Sequence, residues 1–186
     1  EKILAQKDRI EGERKQVTVM FCDMEGFTSL SEKLGPETMY SLMDQVYEIL
    51  IHKVHDYEGT VNEMTGDGVM ALFGAPLAHE DHAQRACHAA LSIQKAIAEY
   101  GEKVRRDCGV DFRIRVGLNS GPVIVGTIGD DLRMDYTAIG DTTNLASRME
   151  TMAAPGTVRV SEHTHRLARD YFEFTSLGEF AVKGKE

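Results

Sequence analysis

Residues 17 to 22, VTVMFC, alternate and are rich in β-formers, which predicts a strand ending at Asp23. A turn-like MEGFTS follows, and Ser31 or Pro36 can open a helix. In MYSLMDQVYEILIHKV, Leu42, Val46, Ile49 and Leu50 fall on one face, so this helix runs to about His55 and stops at Gly59. TVNEM and VMALF are two short β-like runs joined by TGDG, a hairpin with glycine where φ turns positive. A second long helix follows in HEDHAQRACHAALSIQKAIAEYGEKV, with Ala86, Ala90, Ile93 and Ile97 at helical spacing. DFRIRVGLNSG and PVIVGTIG then predict a strand pair connected at SGP. Past the next GD, Asp141 can cap a helix whose apolar stripe is Leu145, Met149 and Met152. Met20, Met39, Met43 and Met149 are expected in the core.

The order is β-α-β-β-α-β with further elements after it, an α+β class with a ferredoxin-like core: an antiparallel sheet flanked by helices. In that topology strand one lies antiparallel beside strand three. Asp23 ends the first, and Asp67 stands just before the other. Two carboxylates distant in sequence therefore meet at one edge of the sheet. Such a pair suits a hard divalent cation, since magnesium takes one or two carboxylates plus substrate phosphates. The plain alternative is that Asp23 ends a strand and Asp67 bonds its own turn. For both carboxylates on one edge, the metal reading leads. The loop after Asp23 can aim backbone N–H groups at phosphate oxygens beside that metal.

Composition narrows the class. The 186 residues, 42% hydrophobic, make one ordinary globular domain, and no run approaches a membrane span or a signal peptide. The formal charge of -9 argues against a nucleic-acid partner. Cys22, Cys87 and Cys108 have unrelated spacings, which fits reduced thiols and a cytoplasmic location, with tethering of a longer protein to a membrane left open. The chain begins at Glu1 with a charged segment, so residues 1–16 are expected to be a helical linker from an upstream sensor or regulatory region, and 17–186 the domain. Ile3 and Ile10, seven apart, are too few for a coiled coil. His79 and His82 in HEDH are spaced for a metal, but solvated histidines at a helix N-terminus are the stronger reading. His163 and His165 read as surface residues.

FCDMEGFTSLSEKL, MTGDGVMALFG, RIRVGLNSGPVIVGTIG, YTAIGDTTNLASRME and VKGK, in this order, resemble the catalytic domain of class III nucleotidyl cyclases, which make cyclic AMP or cyclic GMP from the triphosphate. The likeness runs from about Val17 to the C-terminus. It implies that Asp23, Asp67 and the backbone carbonyl of Met24 hold two Mg2+ or Mn2+ ions per site, and that Phe27 and Thr28 lie in the phosphate loop. It implies that Asn144 orients the ribose and Arg148 stabilises charge at the α-phosphate, with Arg115 and Lys183 on the remaining phosphates. It further implies head-to-tail pairing, one protomer giving the carboxylates and Arg115, the other Asn144, Arg148, Lys183 and the base pocket. As this chain carries all of them, a homodimer suffices.

The base pocket is mixed: Glu63 stands where many adenylyl members have Lys and guanylyl members Glu, and Thr137 where adenylyl members have Asp or Thr and guanylyl members Cys. Either purine fits these side chains; Thr137 favours ATP over GTP, since it is similar to bacterial adenylyl members. Two rivals remain: a non-catalytic regulatory or dimerisation domain, though no motif residue is missing, and a diguanylate cyclase, whose GGDEF-like turn is TGDG here.

Overall fold

The structure, a computed structural model, describes residues 13–128, 131–135 and 140–178, and only the backbone of 125–128, 131–135 and 140. Thr137, Lys183, Ile3 and Ile10 lie outside the described residues.

In chain order the elements are β1 Glu13–Met24, α1 Phe27–Leu34, α2 Pro36–Asp56, β2 Thr60–Met64, β3 Gly68–Phe73, α3 His82–Cys108, β4 Ile114–Ile128, β5 Asp131–Asp135, α4 Gly140–Met152, β6 Val158–Val160 and α5 Glu162–Ala168. The sheet runs β2-β3-β1-β4-β5, with β6 parallel to β4 at its other end. The βαββαβ core expected from the alternation is present, with β1 antiparallel to both β3 and β4.

Pleating sorts β1 between two cores, because successive side chains point to opposite faces. Met20, Cys22 and Met24 join Leu42, Val46, Ala86, Ala90 and Ile93 of α2 and α3. Val17 and Val19 join Met70, Leu72, Val123 and Ala146, the last from α4. Met39, Met43 and Met149 are buried as expected. The three cysteines are free; burial pushes the Cys22 thiol far above its usual range, so it packs as a small apolar group.

Four local readings are corrected. β1 begins at Glu13, so residues 13–16 are strand, not helical linker: they pair with Pro122 to Val125 of β4. MEGFTS is not a loop. Gly26, at φ 66, throws the chain into α1 at Phe27, and the break before α2 comes at Gly35. SGP is not a connection, because Ile114–Ile128 is one strand. β6 pairs with residues 116–118 and β5 with 124–128, leaving a gap between them. In it the Pro122 carbonyl accepts from Thr142 Oγ1 at 2.8 Å. A strand residue's N and O point the same way, so the missing N–H of Pro122 faces that gap and breaks no ladder bond. Lastly, the buried stripe of α4 is Thr142, Ala146, Met149, Glu150 and, just beyond, Ala153. Leu145 and Met152 are only partly buried.

Two glycines let α4 lie on β4. A Cβ on Gly117 would come 2.0 Å from Glu150 N, and one on Gly121 2.7 Å from Thr142 Oγ1. Only hydrogen fits between strand and helix there.

Candidate active site

Asp23 sits at the end of the central strand, with Gly68 paired to it on one side and Arg115 on the other. Gly68 is required by close approach, since a Cβ there would lie 1.7 Å from Cys22 O. The TGDG hairpin therefore starts directly against β1. Neither Gly66 nor Gly68 has positive φ, so steric clearance, not backbone handedness, is what glycine 68 supplies.

Asp67 is held at two points, and a third bond closes its turn. Its carbonyl accepts from Met24 N–H at 2.9 Å, its Oδ1 accepts from Thr65 Oγ1 at 3.0 Å, and Thr65 N–H closes the turn on Gly68 O at 2.9 Å. The Tyr47 hydroxyl of α2 donates to the Thr65 carbonyl, tying the hairpin to the helix layer. Burial, then the Asp67 charge, pushes the Tyr47 phenol above its usual range, so it stays a donor. Asp23, Met24 and Asp67 thus share one edge, as the topology predicts.

After Asp23 the backbone is steered into a helix start: Glu25 N–H donates to Arg113 O at 3.0 Å. No side chain caps α1, and its first N–H groups, those of Phe27 and Thr28 among them, lack intrahelical partners. This helix N-terminus beside Asp23 favours an anion more strongly than a loop.

Arg115 Nε lies 3.6 Å from Asp23 Oδ1 and 3.6 Å from Glu150 Oε1, while its Nη1 donates to Thr151 O at 3.3 Å. Glu150 was not singled out in the sequence, yet it is only 6% exposed. Its carboxyl is pushed up to about 8, first by burial, then by Asp23, with Arg115 opposing. The legible signal was a charge on the apolar stripe of a helix.

Asn144 is exposed and Arg148 half-buried on α4. Glu63 is exposed on the edge strand β2, paired with Met70 just past a bulge after Val61. The two HEDH histidines diverge: His79 Nε2 meets Glu58 Oε2 at 3.2 Å, whereas His82 Nδ1 meets Thr18 Oγ1 at 2.8 Å inside the core. They share no ligand.

The donor set fits a hard cation. Asp23 Oδ1 is buried without a hydrogen-bond partner, and Arg115 Nε at 3.6 Å offsets its desolvation only in part. Among the described residues no three His, Cys, Asp or Glu side chains converge as a ligand set, so two carboxylates, a backbone carbonyl and oxygens from outside the protein are what this edge can offer.

Residues 11–186 match the family model described as the adenylate and guanylate cyclase catalytic domain. The chain belongs to that family. This cyclase domain is 34% identical over 92% of its length to adenylate cyclase 1 of Rhizobium meliloti, and spans 26% of that relative. Among solved structures, the adenylyl cyclase CyaB of P. aeruginosa superposes with a TM-score of 0.84 at 31% identity, over 92% of this chain and 89% of that one. The guanylate cyclase domain of RhGC from Catenaria anguillulae, in complex with GTP, gives 0.80 at 31%, over 94% and 93%. It is a class III nucleotidyl cyclase catalytic domain, with adenylyl and guanylyl relatives at similar identity. Among the described residues no helix is long and apolar enough to cross a membrane.

Proposed function

We propose that this cyclase domain converts ATP to 3',5'-cyclic AMP and pyrophosphate, in two equivalent composite sites at a homodimer interface. The observation that carries the reading is Asp23 Oδ1, buried without a hydrogen bond beside the Asp67 hairpin, a place suited to a cation and its phosphate. Asp23, Asp67 and the Met24 carbonyl hold two Mg2+ or Mn2+ ions. Bound there, they lower the pKa of the attacking 3'-hydroxyl and offset charge on the triphosphate.

The chain's own groups do the positioning. The α1 N-terminus at Phe27 and Thr28 takes phosphate oxygens, and Arg115, with guanidinium donors beyond those facing Asp23 and Thr151, reaches the same tail together with Lys183. Asn144 of the second protomer orients the ribose, and Arg148 offsets charge developing at the α-phosphate during in-line attack. Asn144 is exposed on α4, as a group serving a partner's site must be. A two-fold homodimer makes both sites identical. No separate side-chain base is invoked; Asp23 or water takes the proton.

Hydrogen bonding by Glu63 and Thr137 suits either purine; ATP is preferred because Thr137 resembles the residue of bacterial adenylyl members at that position, and GTP is the second reading because Glu63 suits the guanine N1–H and 2-amino group. A cytoplasmic setting downstream of a sensor region accompanies the reading. Turnover of the purified chain with Mg2+ or Mn2+ and each triphosphate tests it: cyclic AMP from ATP is expected, abolished by Asp67→Asn at unchanged melting temperature. Comparable rates with GTP overturn the purine choice; wild-type turnover by Asp67→Asn overturns the site.

A further inference from the structure

α4 carries both residues assigned to ribose and phosphate, so its tilt on the sheet matters more than that of any other helix. Near its C-terminal end it rests on Gly117 through the backbone of Glu150. At its first turn it is fixed by two hydrogen bonds. Asn119 Nδ2 donates to Thr142 O at 2.9 Å, and Thr142 Oγ1 donates to Pro122 O at 2.8 Å. Both come from the stretch of β4 between its pairings with β6 and β5, where among the described residues no strand pairs on the side away from β1.

The Asn119 amide is oriented from behind. Its Oδ1 accepts from Ser161 Oγ at 2.6 Å, and that hydroxyl caps α5 at Thr164 N. The chain of contacts continues from Thr164 Oγ1 to Ser120 Oγ at 2.9 Å, to Thr18 Oγ1 at 2.7 Å and to His82 on α3. Asn119 is 2% exposed. A buried amide costs free energy unless both ends are bonded, and an apolar side chain of the same size would pack there without either bond. What the amide adds is direction: with Ser161 on its oxygen, its N–H group can face only α4.

We propose that Asn119 and Thr142 are positioning residues that set the angle of α4 on the sheet and thereby place Asn144 and Arg148. The inference rests on the composite-site reading above. With the clamp gone, the helix pivots on the Gly117 contact at Glu150. Asn144 lies about 9 Å from that pivot by helical rise, so a tilt of about 10° moves it by roughly 1.5 Å. Misplacement of about 1 Å costs up to about a hundredfold in rate.

The test uses complementation, because a role confined to α4 must damage one half-site only. An Asp67→Asn protomer paired with an Arg148→Ala protomer keeps one intact site, built from the carboxylates of the second and Asn144 and Arg148 of the first. Asn119→Ala added to the Asp67→Asn protomer is expected to lower turnover about tenfold or more, and added to the Arg148→Ala protomer to leave it within about twofold. Equal loss from both placements means general structural damage and overturns the proposal, as does no loss from either. Should Asn119→Ala fail to fold, Thr142→Val in the same two placements is expected to reproduce the asymmetry and Thr142→Ser, which keeps the hydroxyl, to restore turnover in both; symmetric behaviour of Thr142→Val overturns the proposal. Failure of the parent pair to complement, with the wild type active, overturns the composite-site reading instead, and this inference falls with it.

Discussion

Arg115 stands directly across from Asp23 on the neighbouring strand, its Nε 3.6 Å from Asp23 Oδ1 and equally far from Glu150 Oε1. The strand register sets the first pair, and the glycine seat of α4 at Gly117 brings in the second. One guanidinium thus faces two carboxylates, neither close enough for a hydrogen bond to Nε. Because Glu150 is held toward its protonated form, Arg115 chiefly balances Asp23 in this cluster, at the edge where Asp67 also stands.

Glu150 gives a pH signature of that cluster. Its folded-state value, about 8, lies above the ordinary carboxyl value of 4.5, so folding favours the protonated form. The stability it contributes is full below about 4.5 and is lost as pH rises toward 8. In buffer free of divalent cations, Glu150→Gln is expected to melt higher than wild type by an amount that grows across this window, on the order of a few kcal/mol at its upper end. Thermal melts of both proteins at a series of pH values check it; a constant gap refutes it.

His82 behaves oppositely. Burial lowers its value below 6.5, so the neutral ring that meets Thr18 is the folded form. Its stabilisation is present above 6.5 and lost as pH falls through the lower folded value. Below 6.5, urea midpoints are expected to drop in the wild type and to flatten in His82→Gln. Parallel curves count against it.

The seat of α4 is steric. Gly117→Ala puts a methyl 2.0 Å from Glu150 N, backbone that cannot rotate away, and is expected to destabilise by about 1–3 kcal/mol or more. Gly66→Ala, in the Asp67 hairpin, meets nothing within 4 Å and is expected to stay within about 0.5 kcal/mol. Chemical denaturation of the two variants measures the contrast.

Tyr47→Phe removes the one hydroxyl that ties the Thr65 carbonyl to α2. The loss in stability should be modest, about 0.5–1.5 kcal/mol. The larger effect falls on Asp67, two residues on: the Mg2+ or Mn2+ concentration for half-maximal turnover is expected to rise severalfold. A metal titration of activity, with unchanged half-saturation as the adverse result, decides it.

The convergence of Asp23 and Asp67 was legible because it follows from strand order, and strand order from period-two runs separated by helices. Errors arose where a residue's usual meaning was overridden by its neighbours. Gly121-Pro122 reads as a turn, yet lies in a strand whose outer side is empty there. Phe27 opens a helix with no Ser or Asp before it, because Gly26 in a left-handed conformation does the turning. Asn119 carries no local pattern of its own, and Glu150 only that of a charge on the buried face of a helix; the packing of α4 on β4 gives both their meaning. Thr137 and Lys183 stay readings of the sequence.

The unbroken course of β4 has a mechanical side. Arg115 near its start and the hairpin to β5 at its end are joined by extended backbone spanning up to roughly 40 Å. A turn at Gly121-Pro122 would have been a joint. Without one, the β4–β5 pairing and the carboxylate edge are the two ends of one strand, with no turn between them to act as a hinge.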